Sequence, residues 1–163
     1  MSAFETLYRR HKDRLFGYLL RTSTDRDTAA ELFQDVWARV IGARGSYVAS
    51  GRFAAWLYRL AHNRLMDHFR SARPAMDPLD ETLDPPAPEH EQPDRQAQSQ
   101  HLGRRILLAL AQLPEEQRAA FLLKEEGGLS LEEIAQATDV GRETVKSRLR
   151  YALAKLRQEL ADV

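Results

Sequence analysis

The chain has 163 residues, 43% hydrophobic and 29% charged, a composition that favours folded domains over global disorder. It contains no cysteine, which excludes a disulfide framework and a thiolate metal site and suits a reducing compartment. Its 24 basic and 24 acidic residues cancel, so total charge points to no partner.

The cancellation conceals a segregation. Residues 1–73 carry a net charge of +6, residues 74–98 carry −6, and residues 99–163 are neutral. The basic block suits a polyanion, although a solvated helical surface would look the same. The opening MSAFETLYRR lacks an apolar core of signal-peptide length and no run approaches a membrane span, so the expected location is cytoplasmic.

Helical periodicity dominates the chain. Phe4, Leu7, Tyr8, His11, Leu15 and Leu19 recur at spacings of three and four and predict one buried helical face. Asp25 and Asp27 mark a break. A second helix is predicted from about Thr28 to Ile41, with Leu32, Val36, Trp37 and Val40 inward. Gly42, Gly45, Ser46, Ser50 and Gly51 make a loop. A third helix is expected from Phe53 to about Arg70, with Phe53, Trp56, Leu57, Leu60 and Ala61 on one side. Leu65 and Phe69 leave that stripe, so the helix either bends or is buried on two sides.

From Pro74 to Gln98 the chain holds six prolines, seven acids and almost no bulky apolar residue, the composition of a flexible linker. The predicted fold class is therefore all-α. Two small helical domains, 1–73 and 99–163, flank an acidic Pro-rich linker at 74–98, and the second domain ends in a helix-turn-helix. In the free chain the linker's negative charge is expected to fold against the basic block and mask it. In the second domain Leu102, Ile106, Leu110 and Leu113 form a stripe. Pro114 with Glu115 and Glu116 then starts a helix that Gly127-Gly128 ends.

The stretch LSLEEIAQATDVGRETVKSRLRYALAKLR, residues 129–157, carries the clearest chemistry. Ser130 and Glu133 form an S-x-x-E capping box, and Leu131, Ile134, Ala135 and Thr138 supply an inner face. Asp139 occupies the turn, where it tolerates a left-handed backbone, and Val140 plugs the space between helices. A second helix is predicted from about Arg142, with a seam of Val145, Leu149, Leu153, Leu156 and Leu160. Lys146, Arg150 and Arg157 flank the seam on one side, and Arg148 and Lys155 on the other. Such a helix suits a DNA groove between two phosphate strands. Arg142, Glu143, Ser147 and Arg148 stand nearest the base edges, since the N-terminal half of a recognition helix enters deepest.

These residues resemble a known family. SLEEIAQATDVGRETVKSRLRYALAKLR, with the preceding LPEEQRAAFLLKEEGGLS, is similar to the −35-reading domain of bacterial sigma-70-type factors of the extracytoplasmic-function (ECF) group. FAAWLYRLAHNRLMDHFR at 53–70 resembles the −10-reading segment of that family. AAELFQDVWARV at 29–40 resembles its helix that docks on the clamp helices of the polymerase largest subunit. The resemblance implies an ECF-type sigma factor, with RNA polymerase core (clamp helices and flap) and promoter DNA as partners, an anti-sigma factor as a further one, and no cofactor.

Residue by residue, the resemblance implies core binding by Glu31, Gln34 and Asp35, with Ala30 standing where a second acid is common. The loop from Gly45 to Arg52 matches the loop that captures a flipped −10 base. Tyr47, Arg59, Asn63, Arg64 and Arg70 are the implied −10 strand contacts. Arg142, Glu143, Lys146, Ser147, Arg148 and Arg150 are the implied −35 contacts. Asp139 and Glu143 depart from the family at positions that set the preference.

The competing reading is a helix-turn-helix regulator that acts without polymerase. An enzyme finds little support: Asp67-His68, His62 and His11 stand without metal-ligand spacing, nucleophile elbow or phosphate loop. Thr22, Ser23, Thr24 and Thr28 lie beside the docking helix, where phosphorylation would add the missing charge, and turn or cap chemistry is the simpler role.

Overall fold

A computed structural model describes residues 2–72 and 93–161. Among the described residues every regular element is helical: α1 (Ala3–Ser23), α2 (Arg26–Gly42), α3 (Phe53–Ala72), α4 (Pro93–Gln112), α5 (Glu115–Glu125), α6 (Leu131–Thr138) and α7 (Arg142–Glu159). The all-α expectation holds. Most of the acidic segment, and with it the masking contact expected of the linker, lies outside the described residues.

Local chemistry explains the boundaries. Ser2 and Glu5 close a capping box at the start of α1, and Thr24 ends that helix in the left-handed region at φ 58°. Asp25 is an N-cap that accepts from the Thr28 backbone N–H at 3.1 Å. α2 therefore begins at Arg26, before the Thr28 start expected from periodicity. The hydroxyls considered for modification are spent on this turn. Thr22 is buried and donates to the Tyr18 carbonyl at 2.6 Å, Ser23 donates to Leu19, and Thr28 donates to Asp25.

α3 is a single helix buried on two sides, which settles the alternative left open by Leu65 and Phe69. Leu57, Tyr58, Ala61, His62 and Leu65 are buried, while Phe53, Trp56, Leu60 and Phe69 are half-buried. Its neighbours are α2 and α1 on one hand and α6 on the other.

The second half departs from expectation in two places. α4 starts at Pro93, within the segment expected to be linker. Its apolar stripe is buried only at the C-terminal end: Leu110 and Leu113 are covered, whereas Leu102 and Ile106 stay 39% and 36% exposed. The middle turns of α4, which carry those two side chains, stand clear of the helices that bury its end.

The two halves pack against each other. A continuous cluster of buried side chains includes Leu15, Tyr18, Leu57 and Tyr58 from the first half and Leu122, Leu123, Ile134 and Val145 from the second. α3 lies against α6, and α1 against α5 and α4. Tyr58 reaches Gly127 so closely that a Cβ there would sit 3.3 Å from its ring and 2.6 Å from the Leu123 carbonyl, so glycine is required. Arg118, only 9% exposed, fastens the seam. Its Nε donates to the Leu110 carbonyl, Nη2 to Ala111 and Leu113, and Nη1 to Thr22 in the other half, all at 2.8–3.0 Å.

Candidate nucleic-acid interface

The helix-turn-helix forms as its sequence predicts. The Ser130 hydroxyl accepts from the Glu133 N–H at 3.1 Å, and the Glu133 carboxylate accepts from the Ser130 N–H at 3.0 Å. Asp139 sits in the left-handed region at φ 55°, ψ 48°, and Val140 is half-buried between α6 and α7. Loss of the hydroxyl in Ser130→Ala is expected to cost about 1 kcal/mol. That would lower the melting temperature by about 2–4 °C in thermal unfolding.

α7 begins at Arg142, with Gly141 as its N-cap. Its buried seam is Val145, Leu149, Ala152 and Leu156; Leu153, expected inside, is 37% exposed and Leu160 is only half-buried. The seam turns onto Ala152 because a small side chain there allows close approach to α5, α7's main neighbour. Beside it, Arg142, Lys146 and Arg150 are exposed along one flank, with exposed Glu143 and half-buried Ser147 further round the helix. Lys146 and Glu143 pair at 3.3 Å. Arg148 is the exception among the expected readers. It sits three residues after Val145 and four before Ala152, so it points toward α5. Its side chain is 18% exposed and meets Glu116 at 3.5 Å.

In the first half, the loop ending α2 carries Tyr47, whose ring centroid lies 4.7 Å from that of Trp56 and 6.3 Å from that of Phe53. These rings border a recess of about 360 Å³ with Phe4, Leu7, Val40 and Ile41. On α3, Arg59 and Asn63 are exposed. Arg70 pairs with Asp67 at 2.5 Å. Arg64 donates through Nε and Nη2 to Asp35 at 3.0 and 2.8 Å. One residue expected to hold a DNA strand thus engages one expected to hold polymerase. Glu31 and Gln34 remain exposed on α2. Gln34 and Ala30 border a cleft of about 450 Å³ floored by Tyr8, Phe16 and Phe33.

His62 was expected to play no special part, and the fold gives it a distinct one. It is 8% exposed, with Nδ1 3.3 Å from the Tyr18 hydroxyl. Burial, with the charge of Arg148 second, lowers its pKa to about 4. It lines a cleft of about 440 Å³ between the halves, along with Asn63, Met66, Phe69 and Arg70 of α3 and Thr138 and Asp139 of the helix-turn-helix. Arg52, at the end of the loop before α3, has a further role. It bridges the halves, donating to Glu133 at 3.0 and 2.5 Å and to the Gly128 carbonyl at 3.0 Å. Hydrogen bonding from Arg52 lowers the Glu133 pKa to about 2. Arg118, beside Ala119 and Ala120, carries no sequence signature of its burial.

The comparisons agree with this geometry. Residues 7–74 match the family model for sigma-70 region 2, and residues 103–156 match that for sigma-70 region 4. Among curated relatives, the ECF RNA polymerase sigma factor SigE of Mycolicibacterium smegmatis is 34% identical over 99% of this chain and 63% of its own length. The RNA polymerase sigma factor CarQ of Myxococcus xanthus is 33% identical over 99% of this chain and 91% of its own. The fold resembles that of the sigma factor RpoE from Bartonella quintana, solved with the anti-sigma factor NepR. Its TM-score is 0.77 at 21% identity, covering 99% of this chain and 98% of that one. It also resembles CnrH, solved with the cytosolic domain of CnrY, with TM-score 0.70 at 22% identity, covering 98% and 88%. With both sigma regions matched in order and full-length relatives above 30% identity, the chain belongs to the sigma-70 family of RNA polymerase sigma factors, in its ECF group.

Proposed function

We propose that this chain joins RNA polymerase core through α2 and grips a promoter at two points, with α7 in the −35 major groove and the α3 surface on the −10 strand. It works as a cytoplasmic initiation factor with no reaction of its own. The observation that carries this reading is the solvent face of α7. On a correctly capped helix-turn-helix, Arg142, Glu143, Lys146 and Arg150 stand exposed beside the buried seam. That is the arrangement a groove-entering helix needs, with charges for phosphate and forked donors for guanine. Arg148, turned toward Glu116, is a weaker candidate for base contact in this arrangement.

On the −10 side, the clustered rings of Tyr47, Phe53 and Trp56 supply an aromatic surface suited to a displaced base, with the exposed amide of Asn63 two turns further along α3. Exposed Arg59 suits the backbone. Glu31 and Gln34 suit the polymerase clamp helices, and Asp35 joins them only by leaving Arg64. An anti-sigma factor fits the same framework, since the RpoE structure was solved with one.

The deciding experiment is transcription from a promoter library by core polymerase with and without the protein. Protein-dependent transcripts sharing two spaced elements are expected. Their absence, despite a 1:1 complex with core, defeats the reading, and DNA binding without any polymerase complex favours the independent regulator. Within that assay, Arg142→Ala should cost about 1–3 kcal/mol and relax preference at one −35 position. Arg150→Ala should weaken binding evenly across sequences and reduce the salt slope by about 1. Equal effects on all sequences for both variants would remove Arg142 from base reading.

A further inference from the structure

The arginines expected along the −10 strand do not share one face of α3. At about 100° per residue, Arg59, Asn63 and Arg70 fall within about 40° of one another, and all three are exposed. Arg64 lies about 100° further round the helix than Asn63. Its side chain is only 23% exposed and reaches α2 rather than solvent. Arg64 therefore stands outside the row that a strand along α3 would meet.

Its partner decides what it does instead. Nε and Nη2 both donate to Oδ2 of Asp35, at 3.0 and 2.8 Å. Asp35 shares a face of α2 with Glu31, one turn earlier, and with Gln34, and both of these are exposed. Arg39, four residues beyond Asp35 on the same helix, is exposed as well, yet the carboxylate bonds to Arg64 across the α2–α3 contact. A basic group arriving at this face finds Glu31 exposed, Ala30 without charge, and the charge of Asp35 already offset. To engage Asp35 it must displace a cation held by two bonds, and it leaves a part-buried guanidinium without its carboxylate. Both costs are subtracted from binding.

We propose that Arg64 sets the affinity of the docking face and is not a −10 strand contact: its guanidinium competes with basic groups of the polymerase for the Asp35 carboxylate. The proposal rests on the reading of α2 as the polymerase-docking helix, and goes beyond it by turning an expected DNA contact into a brake on docking. Without Arg64, Asp35 joins Glu31 and Gln34 with no exchange to make. The pair is partly exposed, with Asp35 43% accessible at the side chain, so it yields to a partner that offers a second charge or hydrogen bond. The competition is electrostatic and weakens as salt rises.

The test is binding of the full chain to core polymerase without DNA, by titration calorimetry at low and moderate salt. Arg64→Met keeps the apolar stem and removes the charge, while Arg64→Gln keeps an amide donor in its place. Both are expected to bind core about fivefold more tightly than the parent, with a smaller gain at higher salt. Asp35→Asn should remove the gain, so that Asp35→Asn binds alike with and without Arg64→Met. Thermal unfolding checks that each variant is folded at the assay temperature. Unchanged or weaker core binding by both Arg64 variants, where the parent binds, overturns the proposal alone. So does a gain that persists in full beside Asp35→Asn, which marks a long-range charge effect. Weaker capture of a −10 single strand by the assembled complex, with core affinity unchanged, also overturns it, because a strand contact predicts that result. A parent chain that forms no complex with core defeats the docking reading itself, and this proposal with it.

Discussion

Replacing Arg118 with Met is expected to destabilise the fold by about 3–5 kcal/mol, the largest loss from any single polar side chain here. Its guanidinium serves carbonyls at two helix ends. Ala111 and Leu113 belong to the end of α4, and Thr22 to the end of α1. Carbonyls in the last turn of a helix have no intrahelical donor, so a buried end must find one elsewhere. Met matches much of the volume and supplies no donor, leaving several buried acceptors unsatisfied at about 1–3 kcal/mol each, less where the Leu110 carbonyl keeps the Leu113 N–H at 3.1 Å. Arg118→Lys should recover only part of the loss, because a point ammonium cannot span four carbonyls on two elements. Denaturant unfolding measures both variants, and a loss below about 1 kcal/mol for Met would refute the role.

The second large effect is a dependence on pH centred on His62. Burial holds its pKa at about 4 in the folded chain, against 6.5 for the exposed imidazole. Between those values the unfolded chain binds a proton that the folded chain does not, so stability falls as pH drops from 6.5 toward 4. The full shift corresponds to roughly 3 kcal/mol. The groups around the ring explain the direction. Tyr18 offers a single hydroxyl contact at 3.3 Å, and Arg148 adds repulsion for a cationic ring. Glu115, Asp139 and Arg70 line the same cleft at its wetter edge. Unfolding free energies at pH 7 and pH 5 should differ less for His62→Gln than for the parent chain. An identical pH slope in the two would assign the effect to other groups.

Much of the fold was legible from residue spacing. The capping box at Ser130 and Glu133, the left-handed Asp139 and the helix start at Arg142 are local features, set by side chains within a few residues of the backbone they satisfy. The same locality explains the small errors. Asp25 was read as a break, whereas its carboxylate caps α2. Leu153 was placed in the seam by hydrophobicity, but the small Ala152 lets α5 approach and turns the seam by one residue.

The site was legible in parts. Arg142, Lys146 and Arg150 stand exposed as their spacing requires. Arg148 shares their sequence pattern yet pairs with Glu116 on a helix far away in sequence. Asp35 and Arg64 were assigned to different partners, and the fold brings them to 2.8 Å. No periodicity within one helix reports such a meeting.

The sequence by itself determined the helical class and the helix-turn-helix, because capping, turn chemistry and amphipathic spacing act over a few residues, and its motifs carried the resemblance to the family. Only the tertiary structure decided which charges face solvent and which face one another. The Arg52–Glu133, Arg21–Glu126 and Arg118–Thr22 contacts join residues 81, 105 and 96 positions apart. Their existence depends on how two separately readable halves pack, a choice made by the buried cluster around Tyr18, Tyr58 and Leu123 rather than by any local preference.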